Sequence, residues 1–212
     1  MDPRSKLMIS LVQDHSRDQA ASDRLLEDFF ARTEGKPPEL LTTDEHAAYK
    51  NSILKVYGVA EAADRADEPT QVNTPPGLVY ATVNKTRKRG TVVDVKTAIV
   101  FGTPLELAQA LDGSPCSSSI NTSFVERNNG TARHFNARKQ RKTYSFSKQF
   151  EEHEAMSWFM MTHYNFCWRP RTLRVPRGDG SFAQRSPAVA AGITDHVWTV
   201  PELLTRQILT DA

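Results

Sequence analysis

The chain has 212 residues, 39% hydrophobic and 25% charged, with a formal net charge of +2. That length buries the core of one ordinary domain without a disulfide or metal staple. With 12 Pro and 10 Gly, the composition excludes collagen-like, low-complexity and wholly disordered chains. The longest strongly apolar runs, such as Thr97–Phe101 and Trp158–Met161, fall far short of the roughly 18 residues of a membrane span. No apolar signal-peptide core follows Met1-Asp2-Pro3-Arg4-Ser5. Cys116 and Cys167 form no C-x-x-C pair, which excludes a cysteine zinc site and a disulfide framework and fits a reducing cytosol. Charge is unevenly spread. Residues 1–68 hold 9 Lys/Arg and 14 Asp/Glu, and residues 69–212 hold 18 and 11. Arg127–Lys148 contains seven cations and no acid. A basic segment beside an acidic one fits a polyanion partner and a need for carboxylates; the plain alternative is a solvated helix face.

In chain order, Lys6–Gln13 is β-rich and apolar and predicts a strand. His15–Thr33 carries Ala20, Leu25, Leu26, Phe29 and Phe30 at helical spacing, with Ser16 or Asp18 as its cap and Gly35-Lys36-Pro37-Pro38 as its stop. Glu39–Thr43 reads as a short strand and Ala47 to about Tyr57 as a helix. Strand–helix–strand–helix argues for an α/β fold. Glu61–Pro76, polar and proline-bearing, reads as a loop or insertion. Leu78–Asn84 and Thr91–Phe101 read as strands split by a basic turn, Lys85–Gly90. Pro104–Leu111 is a helix candidate and Asp112–Thr122 a loop. Helices are predicted from Ser123 to about Lys139 and over Ser147–Trp168. Phe150, Trp158, Phe159, Met161, Tyr164 and Phe166 supply the buried surface of the second. Arg169–Arg185 is irregular, and the tail holds a short helix, Pro201–Leu209.

Three acids stand where an α/β sheet presents functional groups. Asp2 precedes the first readable strand, Asp44 follows Glu39–Thr43, and Glu126 lies in the first turn of an Arg- and Asn-rich helix. Magnesium prefers oxygen ligands, and a two-metal phosphoryl-transfer site needs several carboxylates from separate elements. Each acid also has an ordinary structural reading. Asp44 can cap the following helix, Asp2 can be a turn residue, and Glu126 can favour the helix dipole or pair with Arg127 or Arg133. Spacing does not choose between these. The six histidines form no metal-binding spacing, no Gly-rich nucleotide loop is present, and Trp158, Phe159, Tyr164, Phe166 and Trp168 read as core rather than as base-stacking platforms.

Asn121–Arg133 (NTSFVERNNGTAR), Arg141–Lys148 (RKTYSFSK), Glu152–Ala155 and His163–Phe166, in that order, resemble the C-terminal part of bacterial insertion-sequence transposases with a DDE catalytic core. Thr172-Leu173-Arg174 and Ala191–Trp198 continue the pattern. Upstream, Leu41–Tyr49 resembles that family's second-Asp segment and Met1–Leu7 its first. The resemblance is weakest from about Val59 to Ser118. It implies an RNase H-like fold of the integrase superfamily, a mixed sheet flanked by helices with the first strand largely missing from an N-terminally shortened chain. It implies a catalytic core over 1–168 with a polar insertion at about 59–76, then a basic irregular segment and tail over 169–212. It also implies metal-dependent cleavage and strand transfer at transposon ends, with two Mg2+ or Mn2+ ions held by Asp2, Asp44 and Glu126. Glu45 stands where the family commonly has Gly.

The partners implied are double-stranded DNA, as transposon end and target, and further copies of the chain in a synaptic complex. The location implied is the bacterial cytoplasm, at the nucleoid, with no membrane. On this resemblance Arg127, Arg133, Arg138, Lys139, Arg141, Lys142 and Lys148 contact phosphates. Asn128 and Asn129 position a strand near Glu126, and Arg169, Arg171 and Arg174 extend the track. The competing expectation is a catalytically inactive remnant that binds DNA through its basic surface.

Overall fold

The computed structural model describes residues 1–60, 72–140 and 142–206. The protein is mixed α/β and divides into two compact units, Val12–Ser123 and Met1–Leu11 with Phe124–Ala212. We call the first the sheet unit and the second the helical unit. No helix among the described residues is long and apolar enough to cross a membrane.

The sheet unit opens with α1 (Gln19–Arg32), capped by the Asp18 carboxylate, which accepts from the Ala21 N–H at 2.9 Å. β1 (Leu40–Asp44) and α2 (Ala48–Tyr57) follow. β2 (Val59–Ala60) and β3 (Val72–Asn73) pair antiparallel with each other. β4 (Val79–Lys88), β5 (Thr91–Phe101) and α3 (Pro104–Asp112) complete the unit. α3 starts in a capping box between Thr103 and Glu106. The main sheet has the order β1-β4-β5. β1 runs parallel to β4, from Leu40↔Val79 to Asp44↔Val83, and β5 runs antiparallel to β4.

The mostly apolar first half of β4 explains its central place. Val79–Val83 are all buried, since both edges of this stretch are paired and both faces covered. Tyr80 of this stretch joins Leu26, Ile53, Tyr57 and Leu78 in one core, bordered by Leu25, Phe29, Leu41 and Phe101. A polar staple joins α1 to α2. Gln19 Nε2 donates to Ser52 Oγ at 2.9 Å and to Asp23 at 2.7 Å, while Asp23 also accepts from Ser52 Oγ at 2.6 Å and Lys55 Nζ at 2.9 Å. Hydrogen bonds from Ser52, then Lys55 and Gln19, push the Asp23 carboxyl down to about 2.

The helical unit contains α4 (Ser123–Phe135), a 3-10 turn (Ala137–Lys139) and α5 (Phe150–Phe166). A short hairpin of β6 (Val175–Pro176) and β7 (Phe182–Ala183) follows, then α6 (Pro187–Ala190) and α7 (Val200–Thr205). α5 buries Ser157, Met161, Tyr164 and Asn165, a stripe at helical spacing. The Phe166 and Trp198 rings lie 4.2 Å apart, with the Arg206 guanidinium 4.4 Å over Trp198.

Four expectations need correction. Lys6–Gln13 forms no strand. The split between the two sheet strands is only Arg89-Gly90, because β4 continues to Lys88. The helix from Ser123 stops at Phe135, and Asn136 caps a separate 3-10 turn there. Phe159 and Trp168 are exposed rather than core. Residues 61–71 of the expected insertion and 207–209 of the tail helix lie outside the described residues.

Two outcomes test this packing. Ile53 is 1% exposed, and Ile53→Ala should destabilise the chain by about 2–5 kcal/mol in chemical denaturation. The Asp23 carboxyl has an ordinary value of 3.8 and a folded value of about 2. Its stabilisation is therefore complete above roughly pH 4 and is lost as pH falls through about 2. Asp23→Asn should flatten the stability–pH curve in that window; an acid limb identical to the parent's would contradict the staple.

Candidate functional site

In the sheet unit, the candidate site forms around Asp44 at the C-terminal end of β1. Asp44 is exposed, and its carboxylate accepts from Arg17 Nη2 at 2.5 Å. It is not a helix cap: α2 begins after Ala47, with no side-chain cap. Accepting by Asp44 outweighs partial burial and holds the Arg17 guanidinium above its ordinary value. The Arg17 carbonyl lies 3.1 Å from His46 Nε2, and His46 Nδ1 is buried with no hydrogen-bond partner among the described residues. Thr43 Oγ1 lies 2.8 Å from the Tyr80 hydroxyl, joining the end of β1 to buried β4. Glu45 turns to β4, where its carboxylate accepts from Asn84 Nδ2. Asp44 is thus a solvent-facing carboxylate held by one exposed arginine.

In the helical unit, Asp2 closes a tight turn. Its carboxylate accepts from the Arg4 N–H at 3.0 Å, the Ser5 N–H at 2.9 Å and the Ser5 hydroxyl. Burial pushes this carboxyl up, but the Ser5 and Arg4 hydrogen bonds and the nearby N-terminal ammonium win, and its pKa falls below the ordinary value. Glu126 lies exposed in the first turn of α4. Among the described residues, no group of three or more His, Cys, Asp or Glu side chains is placed to hold a metal ion.

The basic residues divide by exposure. Arg127, Asn129, Arg138, Lys142, Lys148, Arg169 and Arg171 are exposed. Arg138 pairs loosely with Glu152 at 3.6 Å. Arg133, Lys139 and Arg174 are partly buried, and Arg174 lies 3.9 Å over the Phe182 ring. Burial lowers the Lys139 pKa. Lys139 lines a cavity of about 30 Å³ with Met8, Phe135, Asn136 and Tyr164. Asn128, expected beside a DNA strand, is buried, with Nδ2 3.2 Å from Met8 Sδ. Helical periodicity turns it inward while Arg127 and Asn129 on either side face out. Arg141 lies outside the described residues.

Sequence reasoning missed Asn165. Its Oδ1 accepts from the Met8 N–H at 3.0 Å and its Nδ2 donates to the Met8 carbonyl at 2.9 Å. The segment expected as a strand is thus paired at Met8 by a side-chain amide, which offers one donor and one acceptor as a neighbouring strand does. A signal was present: an amide inside the apolar stripe of α5 needs a partner for both of its ends.

The chain matches no family model, no curated protein and no solved structure.

Asn165→Ala leaves the Met8 N–H and carbonyl without these partners, which should cost about 1–3 kcal/mol per unsatisfied group. Amide exchange at Met8 should lose its protection. Unchanged protection there would show that another group pairs this backbone.

Proposed function

We propose that the chain is a DDE-type transposase core with an RNase H-like sheet, acting on duplex DNA. Asp2, Asp44 and Glu126 are its metal-binding carboxylates. The observation that carries the reading is Asp44: an exposed carboxylate at the C-terminal end of a parallel-paired strand, facing an arginine instead of capping the next helix. Functional groups in open α/β sheets gather at the carboxyl ends of the strands. The sequence blocks around Asp44 and Glu126 that resemble the family support the same assignment.

The donor set suits a hard cation, being all carboxylate oxygen. Divalent ions bound there would activate the attacking oxygen and steady the leaving one. The residues of the chain do the preparatory work. Arg17 must release Asp44, and the Asp2 carboxylate must exchange at least one turn donor for the ion. Exposed Arg127 and Asn129 follow Glu126 on α4 and lie at hand for phosphate oxygens.

A second reading is supported by those same partners. With Asp2 satisfied by its own turn and Asp44 by Arg17, the chain is a DNA-binding protein that does not cleave. Its basic residues then act only on phosphates, with the strong salt dependence of counterion release.

Incubation of the chain with duplex DNA and Mg2+ or Mn2+ separates the two. The catalytic reading expects nicking or strand transfer, abolished in Glu126→Gln; equal activity in that variant removes the assignment. Salt-sensitive binding without cleavage in either metal supports the second reading. Arg17→Ala adds a finer check. Its ion pair is exposed and worth less than about 1 kcal/mol, so stability should barely change. The Mn2+ concentration needed for half-maximal nicking should fall.

A further inference from the structure

β1 ends at Asp44↔Val83, so from Asn84 onward β4 pairs with β5 alone. The two strands continue as a free antiparallel ribbon, through Lys85↔Val95 and Thr86↔Asp94 to Lys88↔Thr91. At about 3.4 Å per residue, the ribbon projects roughly 15 Å beyond the sheet. All its residues are exposed except Lys85, which is partly so. Within 84–97 the sequence NKTRKRGTVVDVKT carries Lys85, Arg87, Lys88, Arg89 and Lys96 against one acid, Asp94.

Two further observations mark this ribbon as more than a solvated hairpin. Val92, Val93 and Val95 are 38%, 51% and 51% exposed, so apolar side chains stand in solvent among the cations. The tip is a two-residue turn in which Arg89 (φ 50°) and Gly90 (φ 84°) both take left-handed backbone. Such turns favour Asn-Gly, and a long cationic side chain at the first position is conformationally disfavoured. The hairpin keeps a guanidinium at its most projecting point despite that preference.

We propose that this ribbon, Asn84–Thr97, is a DNA-binding arm that enters the major groove of B-form duplex DNA. It rests on the duplex-DNA reading above for its class of partner; the arm itself follows from its own geometry and charge. The major groove is about 12 Å wide and 8.5 Å deep and admits a two-stranded ribbon, so the arm is long enough to reach the groove floor. The cations neutralise phosphates at the groove walls, and the valines meet thymine methyl groups. Pairing of β5 with a second copy of the chain would bring two such cationic ribbons together and is disfavoured by their repulsion. An A-form RNA duplex has a major groove too deep and narrow to be read this way.

The test uses the full chain, a labelled DNA duplex and fluorescence anisotropy across a range of salt concentrations. Arg89→Asn replaces the tip cation with the residue the turn prefers, so the thermal midpoint should hold or rise while DNA affinity falls. The triple variant Arg87→Ala, Lys88→Ala, Arg89→Ala should bind roughly tenfold or more weakly at low salt. Its log–log salt slope should be shallower by about 0.9 for each phosphate it no longer neutralises. Guanine N7 protection from methylation, a major-groove readout, should be present with the parent and absent with the triple variant. Parent binding with unchanged affinity, slope and N7 protection in the triple variant overturns the arm and leaves the DNA reading standing. Ribbon-dependent binding of an RNA duplex as tight as that of DNA overturns the groove assignment. A parent that binds no duplex DNA at low salt overturns both.

Discussion

Parallel pairing of Leu40–Asp44 with Val79–Val83 is the constraint on which the sheet unit depends. It supplies the second edge of β4, and with both edges paired and both faces covered Val79–Val83 are buried at every position. The same register sets Asp44 opposite Val83, at the last rung of the ladder. Past that rung β1 leaves the sheet, and β4 and β5 continue as a ribbon of two. One pairing therefore determines both the location of the exposed carboxylate and the point at which the basic arm begins.

In the helical unit the corresponding constraint is a side chain. Asn165 pairs with both backbone groups of Met8, and Asn128 turns inward to the Met8 side chain. These interactions tie the N-terminal segment to α5 and α4. Asp2, a few residues upstream, is organised by its own turn. Three donors converge on its carboxylate, which is why burial does not raise its pKa.

The carboxylates thus differ in what a ligand would have to displace. Asp44 is held by an exposed arginine, a partner of little energetic weight in solvent. Asp2 is held by short-range donors that are part of the fold of its turn. Glu126 stands at a helix start, where the positive end of the dipole already favours its charge. A polyanion partner would find cations spread over α4, the segment after it and the β4–β5 ribbon.

Elements with local signals are legible in the residues alone. Phe29 and Leu26 at helical spacing marked α1, Pro104–Leu111 marked α3, and Thr91–Phe101 was a β-rich run bounded by glycines. The sequence also placed Asp44 at a strand end and Glu126 in a first helical turn. The rest depends on the folded chain, because the partners that settle it are distant in sequence. Lys6–Gln13 has the composition of a strand but pairs with no strand among the described residues, and Asn165, far along the chain, supplies the donor and acceptor at Met8. Lys85–Lys88 has the composition of a turn, yet it is strand because β5 extends opposite it. Asn128 and Asn129 are chemically the same, and only the packing of α4 against Met8 sends one inward and leaves the other in solvent. Whether Asp44 caps the next helix was likewise decided by the fold, which started α2 after Ala47 and set Arg17 against the carboxylate.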